Sequence, residues 1–185
     1  MDLPPAQLAR ARRGDRDALA ALVRHYQDRV YSVCVALAGA DAEDCAQDAL
    51  VKVLGAVHRF DPARGPSLGA WVMTITRRVC IDRARAARVA RHADHPVDAF
   101  AAPAGDAAER ARAELVRRAV LELPDDHRAV LVLRAWGELA YDEIAELEGI
   151  PVGTVRSRLA RARDALRSAL SPALADTLEV HDDVG

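Results

Sequence analysis

A segment near the middle of the chain, ADHPVDAFAAPAGDAA (residues 93–108), limits how this sequence can fold. It is rich in alanine, proline, aspartate and glycine and shows no sustained apolar period, so it predicts a flexible linker. On both sides of it, apolar residues recur with the spacing of amphipathic helices. The sequence therefore predicts two small helical domains joined by a tether, because no regular element continues across this segment.

Composition indicates which elements build those domains. Of the 185 residues, 51% are hydrophobic but only 4% are aromatic, so a core must consist mainly of leucine, valine and alanine. Alanine, leucine, arginine and glutamate favour helices, whereas the residues that favour strands are comparatively few. We predict an all-α fold. Helices are expected near residues 5–13, 15–38, 42–57, 67–90, 107–122, 125–136, 141–148 and 152–170.

Several helix ends carry residues that cap or stop a helix. Asp41 is expected to cap the third helix and Asp125 the sixth. Ala140 stands where a capping side chain is common, which should loosen that helix start by about 1 kcal/mol. The dipeptide Ser171-Pro172 is expected to end the last helix. The predicted organisation is a first domain at 1–91, a linker at 92–107, a second domain at 108–172 and an acidic tail at 173–185 that frays.

Charge is distributed unevenly, although the formal net charge is only −2. Residues 77–91 contain six arginines against one aspartate, and residues 152–168 contain five arginines against one aspartate. Two acidic blocks, 41–48 and 138–148, offset them. Such segregation indicates contact with a polyanion at two places. Solvated helix faces also produce charged blocks, so charge alone leaves both interpretations open.

Membrane and secreted proteins fit the sequence poorly. The longest apolar run, at residues 30–40, is far shorter than the roughly 20 residues that span a membrane. The N-terminal region has charged residues and lacks the uninterrupted apolar core of a signal peptide. Cys34, Cys45 and Cys80 are an odd number at irregular spacing, which makes no disulfide framework. We therefore expect a soluble, cytoplasmic protein without membrane insertion of its own.

No arrangement of side chains indicates catalysis. The sequence has no Gly-rich phosphate loop and no Ser/His/Asp or Cys/His arrangement in a recognisable context, so we expect no catalytic residues and no cofactor. The three cysteines fall on apolar helical faces, which is typical of buried thiols. One cluster of possible metal ligands lies in the predicted linker without helical spacing, and it supports a metal site only weakly. Its members are His92, Asp94, His95 and Asp98.

The stretch AYDEIAELEGIPVGTVRSRLARARDALRSAL (140–170) has the pattern of a helix-turn-helix. Gly149 supplies the permissive backbone of a tight turn, and Pro151 begins the second helix without losing a needed N–H group. The first helix buries Ile144, Ala145 and Leu147. One core stripe recurs along the second helix at i, i+4, i+7 and i+11: Val155, Leu159, Ala162 and Leu166.

The opposite side of that second helix is a candidate surface for the major groove of DNA. Arginine can bond guanine bidentately, threonine and serine can bond either type of base edge, and further arginines can hold phosphates. The candidate contacts are Gly153, Thr154, Arg156, Ser157, Arg158 and Arg161. A helix-turn-helix alone does not identify the function, because several classes of transcription factor carry one.

Two longer stretches are more specific. Residues 41–88, which contain DAEDCAQDAL and RFDPARGPS, resemble the core-binding and promoter-melting segment of extracytoplasmic-function (ECF) sigma factors. Residues 123–170, which begin LPDDHRAV, are similar to the carboxy-terminal DNA-binding domain of that family. The two segments occur in the family's order, and the resemblance covers nearly all of residues 10–170. It implies a protein that directs core RNA polymerase to promoters.

The resemblance implies roles for three surfaces. The polar face of the helix at 42–57 would bind the β′ clamp helices of RNA polymerase, the segment at 59–85 would open and read the −10 element, and the helix at 150–163 would read the −35 element with the six residues named above. The polymerase-binding residues would be Asp41, Asp44, Gln47, Asp48 and Lys52. The −10 residues would be Phe60, Asp61, Arg64, Ser67, Trp71, Arg77, Arg78 and Arg83.

The chemistry of the −10 residues suits that role. Capture of a flipped base needs an aromatic or apolar wall, hydrogen-bond partners and nearby cations for the unpaired strand. Trp71 also fits a core position, because it lies at helical spacing with Val72 and Ile75. Arg77-Arg78 stands where the family often has Arg-Asn, and arginine only donates whereas asparagine also accepts. We therefore expect a −10 preference that differs from that of typical members.

The resemblance also implies two further partners. These are the polymerase β flap and an anti-sigma factor that covers the promoter-binding surfaces until a signal arrives. Two other functions stay open from the residues alone. The chain could be a stand-alone, dimeric helix-turn-helix regulator whose first domain binds a partner or signal, or a metal or thiol sensor built on its cysteines and histidines. Binding to core polymerase distinguishes a sigma factor from both.

Overall fold

The computed structural model describes residues 3–63, 65–90 and 107–179. Within these ranges all regular secondary structure is helical, which confirms the all-α prediction. Predictions for Arg64, for the linker with His92, Asp94, His95 and Asp98, and for the last residues of the acidic tail lie outside the described residues.

Each predicted helix is present, and all but the last keep their expected bounds within one or two residues. Short 3-10 turns at Gly39–Asp41 and Val57–Arg59 precede and follow the third helix. The helices are α1 (Pro5–Arg12), α2 (Arg16–Ala38), α3 (Ala42–Ala56), α4 (Leu68–Ala90), α5 (Ala107–Leu121), α6 (Asp125–Ala135), α7 (Tyr141–Glu148) and α8 (Val152–Glu179).

The core of the first domain lies where α2, α3 and α4 pack against one another. On α2, Tyr26, Val30 and Val33 recur at i, i+4 and i+7 and are fully buried. On α3, Ala49 and Val53 face the same core. Burying a large apolar side chain contributes about 1.5–3 kcal/mol, so this stripe fixes which side of α3 faces inward. The polar residues of α3 are therefore left on its outer face.

The second domain contains the helix-turn-helix that the sequence predicts. Ile144 of α7 and both Val155 and Leu159 of α8 are almost completely buried. Between the helices, Gly149 adopts a left-handed conformation (φ 66°, ψ 35°). The Ile150 N–H donates to the carbonyl of Ala145 in α7 at 3.0 Å. Glycine takes this conformation at little cost, which explains the turn.

Two of the predicted helix caps are wrong. Asp41 lies at the start of α3, but its side chain makes no capping hydrogen bond. Asp125 is the first residue of α6, after Pro124, and its carboxylate pairs with Arg128 instead of capping the helix. Both aspartates still lie where the helix dipole favours negative charge. Charge, not a side-chain cap, is therefore their contribution to the helix starts.

The start of α7 is secured in a different way. Ala140 has no capping side chain, but Glu143 Oε2 accepts the Ala140 N–H at 2.9 Å. This bond is one half of a capping box, so it satisfies one of the N–H groups that the helix start leaves open. It offsets part of the loosening that Ala140 was expected to cause.

The predicted end of the last helix at Ser171-Pro172 is also wrong, because α8 continues to Glu179. Proline lacks one backbone N–H and crowds the carbonyl four residues earlier, so it weakens a helix without always ending it. The sequence on both sides of Pro172 is rich in alanine and leucine, which favour the helix. The first part of the acidic tail is therefore helical.

The two domains pack against each other. Helix α2 contacts α5 and α6, and α4 contacts α7. Buried apolar residues of both domains belong to one continuous cluster. Helical periodicity does not predict this packing, because it depends on contacts between residues far apart in sequence.

Candidate nucleic-acid interfaces

The first turns of α8 present a polar surface to solvent. Arg156, Ser157 and Arg161 are exposed, whereas the stripe on the other side of the helix is buried as far as Ala162 and half-buried at its last residue, Leu166. Gly153 is exposed too, with open space where a side chain would stand, and Thr154 is half-buried. The helix is thus held on its inner side and free on its outer side, as a major-groove reader requires.

Arg158 differs from the other arginines of α8. Its side chain is largely covered, and its Nε lies 3.2 Å from Asp126 Oδ2 on α6. This ion pair joins the recognition helix to the helix beneath it. Arg158 is one of the predicted DNA contacts, and in this structure its side chain is engaged by Asp126.

The loop between α3 and α4 places an aromatic pair beside polar groups. Phe60 is buried, and its ring centre lies 5.3 Å from that of the half-buried Trp71. Asp61 Oδ1 accepts the Ala63 N–H at 3.0 Å, which holds the turn in place. Ser67 Oγ accepts the N–H of the third residue of α4 at 3.1 Å and caps that helix. Trp71, in the first turn of α4, is thus the ring of this pair that keeps some access to solvent.

The expected −10 arginines of α4 have different surroundings. Arg77 Nε donates to Glu148 Oε1 of α7 at 2.9 Å, and the two side chains keep only 19% and 14% of their exposure. Arg83 bridges two carboxylates of α3. Arg78 is exposed and forms no ion pair with any described residue. Of the three arginines, Arg78 is the one that is both exposed and without an ion pair among the described residues.

The contacts between the domains include three side-chain pairs, and each uses a glutamate from the segment 138–148. A cation or hydroxyl of the first domain lies opposite each glutamate. Two of the first-domain partners, Ser67 and Arg77, are expected −10 residues. The pairs are Arg29–Glu138 at 2.6 Å, Ser67–Glu143 at 2.5 Å and Arg77–Glu148 at 2.9 Å.

The outer face of α3 carries the residues expected to bind polymerase. Asp41, Asp44, Gln47, Asp48 and Lys52 are all exposed, because the inner stripe of this helix is buried. The apolar side chain of Val51 is also exposed beside them. The structure therefore brings the five expected residues onto one accessible surface.

The sequence prediction for this surface did not include α2, which borders it. A groove between α2 and α3 is lined by Gln27, Asp28 and Tyr31 together with Gln47. The available signal was that residues 27, 28 and 31 lie away from the buried apolar stripe of α2.

The three cysteines are buried in the first domain, where Cys34 Sγ and Cys80 Sγ lie 3.8 Å apart. Hydrogen bonding to Cys34 together with burial raises the pKa of Cys80 to about 12. The pKa of Cys45 is raised as well, by a hydrogen bond to Cys80 and by burial. A raised pKa keeps a thiol protonated, whereas the thiolate is the reactive form. Cys45 and Cys80 therefore have the character of packed side chains. No group of metal-binding side chains is found among the described residues.

Each of the two helical domains matches a known protein family. The family described as Sigma-70 region 2 matches residues 22–89, which hold α3, the following loop and nearly all of α4. The family described as Sigma-70, region 4 matches residues 113–166, which hold the helix-turn-helix.

Relatives that match over most of the chain are sigma factors as well. The chain is 31% identical to the ECF RNA polymerase sigma factor SigW of Bacillus subtilis, over 89% of this chain and 95% of the relative. It is 33% identical to the ECF RNA polymerase sigma factor RpoE of Cereibacter sphaeroides, over 89% and 93%. The chain belongs to the ECF RNA polymerase sigma factors. It is a transcription initiation factor that directs core RNA polymerase to promoters.

Solved structures support the fold of this sigma factor. It matches CnrH, solved in complex with the cytosolic domain of CnrY, with a TM-score of 0.65 and 26% identity over 90% of this chain and 96% of CnrH. It also matches the sigma factor RpoE of Bartonella quintana, solved with the anti-sigma factor NepR, with a TM-score of 0.65 and 24% identity. That match covers 80% of this chain and 94% of RpoE, and it supports the fold.

The sigma factor's described residues include no helix that is both long and apolar enough to cross a membrane. The region 2 match contains the α3 face and the expected −10 residues, and the region 4 match contains the exposed turns of α8.

Proposed function

We propose that this ECF sigma factor divides promoter recognition between two surfaces and binds the polymerase through a third. Residues 1–91 would form the domain for polymerase binding and the −10 element, and residues 108–172 the domain for the −35 element. The observation that carries this proposal is the exposed polar face of α8, which is fixed on its inner side by Val155 and Leu159.

The −35 element is read by the first turns of α8. Arg156 and Arg161 are the base-contacting candidates, because both are exposed and neither has an ion partner among the described residues. Gly153, Thr154 and Ser157 lie at the same end of the helix, where close approach to base edges is possible. Arg158 supports this surface through Asp126.

The −10 element is opened and read by the segment from Phe60 to α4. Trp71, supported by buried Phe60, supplies a ring on which an unpaired base can stack. Arg78 holds the strand backbone. Ser67 and Arg77 join the site only after α7 moves away, because glutamates of α7 occupy both side chains in this arrangement. The domains therefore separate when the promoter is bound.

Binding to core polymerase uses the outer face of α3 against the β′ clamp helices, and the second domain contacts the β flap. The face is acidic apart from Gln47 and Lys52, so a basic surface is its natural partner. The protein acts in the cytoplasm and is not an enzyme, since the polymerase performs the chemistry. An anti-sigma factor is a further partner, in keeping with the neighbours CnrH and RpoE, solved with CnrY and with the anti-sigma factor NepR.

The experiment is transcription from genomic fragments by purified core polymerase with and without the protein, followed by mapping of start sites. We expect protein-dependent transcripts whose upstream regions share elements near −35 and −10. A stand-alone regulator would instead bind DNA tightly as a dimer and leave core polymerase unbound. Tight sequence-specific binding by the free chain at physiological salt, with no transcripts from the core enzyme, would reject the proposal.

A further inference from the structure

The side chain of Arg83 lies between the two helices that carry different expected functions. From α4, its Nη1 donates to Asp44 Oδ2 at 2.9 Å and its Nη2 donates to Asp48 Oδ2 at 3.0 Å. One guanidinium fork therefore joins two carboxylates of α3. Arginine is suited to this arrangement because its donors are held in a fixed plane.

Arg83 also points away from the other arginines of α4. With about 100° per residue, it lies about 140° around the helix from Arg78 and about 160° from Arg85. Arg78 and Arg85 share one face, and both are exposed. A DNA strand that follows this shared face passes on the far side of α4 from Arg83.

The charge around Arg83 is unfavourable for a phosphate. Its single positive charge is opposed by the two carboxylates that it bonds, so the group of three is negative by one. Asp41 and Asp82 line the same groove between α3 and α4, together with Lys52. Hydrogen bonds to Asp48 and Asp44 raise the pKa of Arg83, because both carboxylates favour its charged form.

Arg83 offsets the repulsion between the two carboxylates. Asp44 and Asp48 are four residues apart on one helix, where like charges repel. Arg83 takes only one oxygen of each, and the aspartate side chains remain 63% and 54% exposed, against 33% for Arg83 itself. The bridge thus holds both carboxylates side by side and leaves their other oxygens open to a partner.

We propose that Arg83 is a positioning residue of the polymerase-binding surface, which holds Asp44 and Asp48 in register for a basic helix pair, and that it does not contact promoter DNA. This inference rests on the proposed function of α3. It changes the role of a residue that the sequence places with the −10 arginines.

The test measures the affinity of the full-length chain for core polymerase and, separately, the affinity of the saturated holoenzyme for a mapped promoter. We expect Arg83→Gln to weaken core binding about three- to fivefold, as is typical for an exposed ion-pair network. Arg83→Lys keeps the charge but loses the fork, and we expect it to weaken core binding as well. Promoter affinity at saturating core polymerase should stay unchanged in both, and circular dichroism melts check that both variants fold.

Arg85→Gln is the matched control, because it removes one arginine from the opposite face of the same helix. It should weaken promoter binding and leave core binding as it is. Unchanged core binding with weaker promoter binding in Arg83→Gln would overturn the inference and make Arg83 a DNA contact. Tighter core binding in Arg83→Gln, with Arg83→Lys unchanged, would overturn it too, since Arg83 would then only screen the carboxylates.

The double variant Asp44→Asn/Asp48→Asn separates this inference from the function on which it rests. If it leaves core binding unchanged, α3 is not the polymerase surface and the proposed function of α3 fails. If it weakens core binding while both Arg83 variants do not, α3 keeps its function and the positioning role of Arg83 is rejected.

Discussion

The arginines of α8 and those of α4 are the same residue type in two basic blocks, yet their surroundings differ. Arg156 and Arg161 on α8 are exposed and lack ion partners among the described residues. On α4, Arg77 is held by a glutamate of the other domain, and Arg83 is held by two aspartates of α3. A run of arginines in a sequence therefore shows where positive charge is available, but the neighbouring carboxylates determine which charges remain free for DNA.

If the proposed surfaces are correct, the difference also limits DNA binding by the free chain. The proposed −35 residues Arg156 and Arg161 are exposed, whereas the proposed −10 residues Ser67 and Arg77 are paired with glutamates of α7. Two domains that each bind weakly gain strength when the polymerase holds both on one promoter. Partial neutralisation of the first domain would make promoter binding depend still more on the polymerase.

The largest expected effect comes from removing the support of the α8 surface. Leu159→Ala deletes an almost completely buried side chain, so we expect a loss of about 2–5 kcal/mol in the free energy of unfolding. Urea denaturation followed by circular dichroism measures it. The control is Ser157→Ala on the exposed side of the same helix, which should change stability by less than about 0.5 kcal/mol. Equal losses in both variants would contradict the division of α8 into a core side and a free side.

The next effect concerns base reading at the −35 element. Arg156→Ala should weaken promoter binding by the holoenzyme by about 1–3 kcal/mol and relax the preference at one position. Competition between templates with single substitutions near −35 measures this change. Arg163→Ala, farther along the exposed side, should weaken binding to all templates alike, as loss of a phosphate contact does. A uniform loss for Arg156→Ala would assign it to the phosphates instead.

A smaller effect should follow from releasing α4. Glu143→Gln/Glu148→Gln weakens the pairs with Ser67 and Arg77, so the free chain should bind a single-stranded −10 oligonucleotide roughly fivefold more tightly, about the effect of one ion pair. Fluorescence anisotropy measures the affinity. Energy transfer between labels on the two domains should fall at the same time.

Its control is Asp142→Asn/Glu146→Gln, which removes the same charge from exposed positions of α7. If the control raises DNA affinity as much as the test variant, net charge explains the effect and the contacts between the domains do not.

The smallest effect is expected at Asp126. Asp126→Asn removes the charge that holds Arg158, and a partly exposed pair contributes about 0.2–1 kcal/mol to stability. Thermal unfolding measures the loss of stability. The same variant should slightly lower affinity for the −35 element, because α8 loses one of its ties to α6. Higher affinity would indicate that Arg158, once released, contacts DNA itself.

Much of the fold could be predicted from local features. Apolar periodicity located the helices, and Gly149 located the turn of the helix-turn-helix, because both depend on residues close in sequence. The end of α8 was missed, since alanine and leucine around Pro172 outweigh the one hydrogen bond that proline removes. The caps predicted at Asp41 and Asp125 were wrong, because capping depends on side-chain rotamers that a sequence does not specify.

The surfaces were predictable only in part. The exposed faces of α3 and α8 follow from their buried stripes, but the state of each arginine does not. Arg77 pairs with a residue 71 positions away and Arg83 with residues 35 and 39 positions away. The one signal in the sequence for the Arg77–Glu148 pair was the opposite charge of the blocks at 77–91 and 138–148. Such pairings require the three-dimensional arrangement, as do the grooves beside α3.

The proposed division of promoter recognition between α8 and α4 can be tested most directly by hydroxyl-radical footprinting of the holoenzyme on a mapped promoter. We expect Arg156→Ala to reduce protection near −35 and to leave the −10 region protected. Arg78→Ala should do the reverse, because its side chain is exposed on α4. If both variants lost the same protected region, or if neither altered protection, the assignment of the two helices to two promoter elements would be contradicted.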